Sequence, residues 1–254
     1  MSSKKPLVTK NAESLICSLK ARPTGHDQAS YVGAGVSSYR FLSLSVPQVR
    51  AFAEMDLGFA EKSIKEQWQN WNSIWLHSDI YDLLLAAIIW ASNQDTTEQW
   101  THRKLLLAWS AKADNWALAD SLCSIYATLF EQHPTEMAKV LEKWSLSKNP
   151  WERRISNVSL FYYSRSRKRL PTYKFAEKLI LRQLADEHYY VQKGVGWALR
   201  ECWNVYPEKT FALLQKIAGK IPPAAWTAAT EKLSPKDKKS LSLQRAESRI
   251  RSKR

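Results

Sequence analysis

The chain has 254 residues, 44% of them hydrophobic, which is enough apolar material for the core of one large domain or a short repeat array and too much for a disordered polymer. Its 38 Lys and Arg outnumber 24 Asp and Glu, and the resulting +14 favours an anionic partner, either nucleic acid or a membrane surface. The apolar run from Leu83 to Trp90 falls far short of the ~20 residues a membrane span needs, so no membrane is expected, and three widely spaced cysteines (Cys17, Cys123, Cys202) argue against a disulfide or zinc framework.

The start of the chain is polar and lysine-containing, with no apolar stretch of the secretory kind, and a cytoplasmic protein is expected, associated with the nucleoid if its anionic partner is nucleic acid. Leu7 to Lys20 reads as an amphipathic capping helix, Tyr31 to Leu44 as a Gly- and Ser-containing loop or short helix, and Val46-Pro47 as another helix start. Beyond this, helical periodicity dominates. Ile80, Leu83, Leu84, Ala87 and Ile88 recur at i, i+3, i+4, i+7, i+8, and similar stripes follow at Leu118, Leu122, Ile125, Leu129 and at Phe175, Leu179, Ile180, Leu184. The presence of only 7 Gly and 10 Pro argues against a many-turned β fold.

The helix starts repeat. Ser78-Asp79, Asp114-Asn115, Asn149-Pro150, Asp186-Glu187 and Pro222-Pro223 each offer a capping residue or a proline suited to a first turn, at spacings of 36, 35, 37 and 36 residues. A second helical stretch lies between each pair, at about 95–110, 134–146, 171–184 and 207–218. That is the pattern of an all-α superhelix of HEAT-like repeats, a short curved solenoid whose concave face would hold an extended ligand. Residues 1–233 are expected to form one repeat domain, with 1–58 as N-terminal capping helices and 59–233 as repeats; 234–254 would be a basic C-terminal helix or tail.

Charge is uneven. Residues 139–182 hold twelve Lys or Arg against three Glu, and 231–254 hold nine against three, whereas 51–100 hold two basic and eight acidic residues. A charge run is often only a solvated helix face, but two basic clusters in one half of the chain point to a phosphate-binding surface. The run Arg165, Arg167, Lys168 and Arg169, between two helical stretches, is the best candidate for backbone contacts.

The dispersed histidines give no metal spacing, and no phosphate loop, nucleophile elbow or dinucleotide motif is present; no metal and no cofactor are expected. Gly194-Val-Gly196 is better explained by close helix packing than by a phosphate cradle. Trp116 and Asp120, at i and i+4, share a helix face; Trp151 and Arg154 start the equivalent helix one repeat on; Trp197 follows in the next, with Lys193 and Arg200 as further DNA-facing candidates. Each pair alone could be a core tryptophan beside a surface charge.

Four segments in order, Tyr31 with Tyr39-Arg-Phe-Leu-Ser-Leu-Ser-Val-Pro-Gln-Val-Arg50, Asn115-Trp-Ala-Leu-Ala-Asp120, Asn149-Pro-Trp-Glu-Arg-Arg154 and Gln192-Lys-Gly-Val-Gly-Trp-Ala-Leu-Arg-Glu201, resemble the motifs of AlkD-type DNA alkylation-repair proteins from about residue 30 to 215. The resemblance implies a HEAT-like fold, and a glycosylase that removes N3- or N7-alkylated purines from duplex DNA in base excision repair without flipping the base into a pocket. It further implies a catalytic cluster of Trp116, Asp120 and Trp197 supported by Arg154, with Tyr31 and Gly33–Gly35 on the approach to the lesion. A monomer is expected. Two other readings stay open at this point: a non-catalytic binder of damaged or branched DNA on the same scaffold, and a protein-interaction scaffold whose basic face takes acidic partners.

Overall fold

The computed structural model describes residues 4–19 and 37–251. These fold into helices with a single isolated β-bridge, Arg40 to Ile80. In chain order the helices are α1 (Leu7–Cys17), α2 (Val46–Ala53), α3 (Ile64–His77), α4 (Tyr81–Ser92), α5 (Thr96–Thr101), α6 (Arg103–Trp109), α7 (Trp116–Gln132), α8 (Pro134–Trp144), α9 (Pro150–Phe161), α10 (Tyr173–Arg182), α11 (Tyr189–Val205), α12 (Pro207–Ile217), α13 (Pro223–Ala229) and α14 (Pro235–Arg251). Helices α4, α7, α9, α11 and α13 begin at intervals of 35, 34, 39 and 34 residues, so the expected all-α helical-repeat architecture is the one observed. Among the described residues no helix is long and apolar enough to cross a membrane. Two compact units divide the chain, residues 1–125 and 126–254.

Local chemistry explains most helix starts. Asn115 Oδ1 accepts from the Leu118 N–H at 3.0 Å, Asn149 Oδ1 from Trp151 N–H at 2.9 Å, and Thr172 Oγ1 from Phe175 N–H at 3.3 Å, each satisfying a first-turn donor that has no partner within the helix. Pro134, Pro150, Pro207 and Pro223 sit in the first turns of α8, α9, α12 and α13, where a missing N–H costs nothing.

Two expectations shift in the first unit. The helix expected from Ser78-Asp79 begins at Tyr81, because Arg40 N–H donates to the Asp79 carbonyl (2.8 Å) and Tyr81 N–H to the Arg40 carbonyl (2.9 Å), holding Ile80 extended. The stretch at 95–110 is broken at His102, whose ring stacks on Trp68 with centroids 4.7 Å apart while its Nδ1 lies 3.1 Å from the Glu98 carbonyl oxygen. Helix α4 is buried on every side from Tyr81 to Ile88, not along one stripe. Its Asp82 carboxylate, inside the core, accepts from the Leu42 and Leu44 N–H groups (2.7 and 3.0 Å) and so ties down the preceding extended segment.

In the second unit α11 is the hub, packed on α9, α10, α12 and α13. Gly196 permits the closest of these approaches: a Cβ there would stand 2.7 Å from the Ala225 Cα of α13. Gly194 is looser, facing the Arg154 side chain with a Cβ-to-Cγ distance of 3.2 Å. The glycine pair therefore serves close packing, as its sequence suggested. Gly196→Val forces two backbones apart and should lower stability by about 3 kcal/mol. Urea denaturation checks this, with Gly194→Ala as the milder control.

The basic tail forms α14, which buries Leu241 and lays the Arg245 guanidinium over the Trp226 ring at 4.0 Å. Arg245 and Arg249 both donate to the Ile221 carbonyl (2.9 and 3.3 Å), leaving most of the helix's remaining charge in solvent.

Candidate nucleic-acid interface

One face of α11 carries Tyr190, Lys193, Trp197, Arg200 and Asn204 at three- and four-residue spacing. Lys193 is exposed, whereas Trp197 and Arg200 are half-buried. Arg200 holds its guanidinium 5.7 Å from the centre of the Trp197 ring, pinned by Glu201 (3.0 Å) and by Glu231 (3.2 Å). Hydrogen bonds from Lys232 and Arg200 in turn hold the Glu231 carboxyl below its ordinary range.

Beside Trp197 the chain leaving α9 turns sharply. Tyr162 caps the helix with its ring 6.0 Å from Trp197, and Tyr163 takes a left-handed conformation (φ 50°) that puts its ring edge-on to Tyr162 at 4.6 Å. A short 3-10 turn, Ser164–Ser166, then carries Arg165 outwards. Tyr162, Tyr163, Arg165, Trp197, Arg200 and Lys232 line an open cleft of about 670 Å³.

The basic run does not act as a block. Arg165, Lys168 and Arg169 are exposed, but Arg167 turns inward, donating to the Leu160 carbonyl (2.9 Å) with its guanidinium 5.8 Å from the Phe130 ring centre and 3.8 Å from Glu131. Burial pushes Arg167 down to about 10, against the pull of Glu131. A phosphate contact expected of Arg167 is thus replaced by a strut that fixes the loop, because its side chain is 6% exposed. Charge reversal at Arg165 or Lys168 should weaken binding to every duplex alike. Each lost phosphate contact should flatten the plot of log affinity against log salt by about 0.9, a slope that fluorescence anisotropy measures.

Arg154 is 6% exposed and donates through Nη1 to the Tyr190 carbonyl (2.7 Å), so its guanidinium is oriented by the first turn of α11. Trp151, 7% exposed, packs against His188 and Tyr190 with centroids 5.6 and 5.3 Å away, the packing role a core tryptophan plays. Its neighbour Arg153 forms a two-pronged pair with Asp186 (2.6 and 3.1 Å), an anchor between α9 and the loop leading into α11 that the sequence reading did not single out.

In the first unit Trp116 and Asp120 lie one turn apart on α7, both half-buried. The preceding Asp114 accepts from Ser37 Oγ (2.9 Å) and from the Ser38 N–H and hydroxyl (2.6 and 2.8 Å), so the segment entering from residue 37 is fastened at the helix start. Tyr31 and Gly33–Gly35 lie outside the described residues. No group of three or more His, Cys, Asp or Glu is placed to hold a metal among the described residues.

Residues 18–233 match the family model described as DNA alkylation repair enzyme. The chain belongs to that family. No curated protein matches by sequence. Among solved structures, a predicted DNA alkylation repair enzyme from Enterococcus faecalis is 16% identical, with a TM-score of 0.67 over 82% of this chain and 93% of that one. The smu.31 protein of Streptococcus mutans UA159, also 16% identical, gives 0.51 over 78% and 90%. Such identities speak to the fold, and it is the family match that implies DNA binding and a part in repairing alkylated DNA. The match ends one residue before Ser234, so α14 stands outside it. Tyr162 and Tyr163 were missed in the sequence although they immediately precede the basic run, and aromatics interleaved with cations were the available signal.

Proposed function

We propose that the protein is a DNA glycosylase that hydrolyses the N-glycosidic bond of purines alkylated at N3 or N7, with Asp120, Trp116 and Trp197 at the reaction and Arg154 in support. The observation that carries this is a division among the tryptophans. Trp68, Trp71, Trp75 and Trp109 are fully buried and pack the core, whereas Trp90, Trp100, Trp116, Trp197, Trp203 and Trp226 are half-buried; of these only Trp116, with half-buried Asp120 one turn on, and Trp197 fall in the segments that resemble the repair-protein motifs. The family supplies the substrate's chemistry, and half-exposed aromatic faces with a carboxylate are the groups that chemistry calls for.

Alkylation at N3 or N7 leaves the purine cationic, so the base departs without prior protonation. As the C1′–N bond breaks, the electron pair leaves with the base and positive charge develops on the sugar. The Asp120 carboxylate stabilises that oxocarbenium-like state and orients the water that attacks C1′. Indole faces attract the same charge, at about 0.5–2 kcal/mol each. Unmodified purines, being poor leaving groups, are spared. Exposed Lys193, Arg165, Lys168 and Arg169 supply phosphate contacts.

Incubation with duplex DNA methylated at N7 of guanine tests the reading. Free 7-methylguanine with no release from unmodified duplex is expected; tight binding with neither product would leave a DNA-binding protein and no enzyme.

A further inference from the structure

The cleft beside Trp197 is built for more than a phosphate backbone. Its floor is aromatic, with the Tyr162 ring 6.0 Å from Trp197 and 4.6 Å from Tyr163, and its charges largely cancel, since Arg200 is held by Glu201 and Glu231, and Glu231 also by Lys232. A neutralised floor is poorly suited to a phosphate. Asn204, Glu201 and the Ser164–Ser166 turn add hydrogen-bonding groups along the walls, and exposed Arg165 stands at the rim. At about 670 Å³ the volume lies within the ~300–1,000 Å³ of ordinary small-ligand sites. Aromatic faces ringed by polar groups, with a cation at the edge, match a planar heterocycle that has donors and acceptors on its rim and a phosphate nearby.

We infer that the cleft is a subsite for an unpaired nucleobase of the bound DNA, stacked against Tyr162 and Tyr163 with its phosphate at Arg165. A base inside a duplex shows only its edges, so only one that has lost its partner can offer a face to these rings. Loss of a damaged purine creates such a base on the opposite strand, and holding it there keeps the product site open. The inference rests on the reading that DNA is the ligand, and it is separate from where the damaged base itself lies.

The probe is a duplex carrying 2-aminopurine opposite a tetrahydrofuran abasic analogue, compared with the same duplex with 2-aminopurine paired to thymine. Stacking should quench the fluorescence of the unpaired base and tighten binding roughly tenfold over the paired duplex. Tyr162→Leu should remove both effects, the preference being read as the ratio of unpaired-duplex to paired-duplex affinity of the same variant. Tyr163→Gly is the second variant, because the left-handed φ of 50° suits glycine and the protein should fold at least as well without the ring. No preference in the wild type, or a preference that survives in both variants, overturns the subsite. Quenching and preference without release of 7-methylguanine would keep the subsite and sink the glycosylase reading, and release without preference would do the reverse.

Discussion

Asp120→Asn is expected to lower the single-turnover rate of 7-methylguanine release by about 10²–10³-fold, the usual loss when one preorganised electrostatic partner of a transition state is removed. The amide keeps the size of the carboxylate and much of its hydrogen bonding, but it offers no anion to the sugar as positive charge develops there. Binding should hold or improve, since an anion close to phosphates is removed with it. Were Asp120 only a surface carboxylate on α7, the variant would instead show an altered melting curve and an unchanged rate per folded molecule. Measuring both on the same preparation separates the two roles, and full activity in a normally folded variant would remove Asp120 from the chemistry.

Leu122→Ala should cost about 2–5 kcal/mol, the range for deleting most of a fully buried leucine from a core that closes only partly around the gap. Leu118, Leu122 and Ile125 are almost wholly inaccessible, which makes one face of α7 a packing face while Trp116 and Asp120 remain half-buried. Thermal or urea unfolding reports the loss, and a wild-type transition would contradict the packing of that stripe. Catalysis per folded molecule should change little, so this variant is also the control for Asp120→Asn.

The repeat was legible because its signals are local. A capping Asn115 or Asn149 and a first-turn Pro150 or Pro223 act within three residues of themselves, and the apolar stripes at Leu179, Ile180 and Leu184 need no knowledge of their partners. What sequence reading missed depends on distant residues. The start of α4 is moved to Tyr81 by pairing with Arg40, forty residues of chain away, and the break at His102 follows from a ring stacked on Trp68. Arg167 looks like its neighbours Arg165 and Arg169 in the sequence, and only the carbonyls of Ser159 and Leu160 and the carboxylate of Glu131 draw it inward.

The candidate site divides the same way. Residue types and order carried Trp116, Asp120, Arg154 and Trp197, because the family motifs are linear. Tyr162 and Tyr163 stand beside Trp197 only through the turn after α9, a conformation with positive φ that no tyrosine advertises.

The most direct test is a single-turnover time course of wild-type protein on a duplex with one N7-methylguanine, set against spontaneous depurination of the same duplex and run with and without a chelator. The account predicts release of the free base far above the spontaneous rate and unaffected by chelation. Saturated binding with release no faster than the spontaneous rate would contradict it.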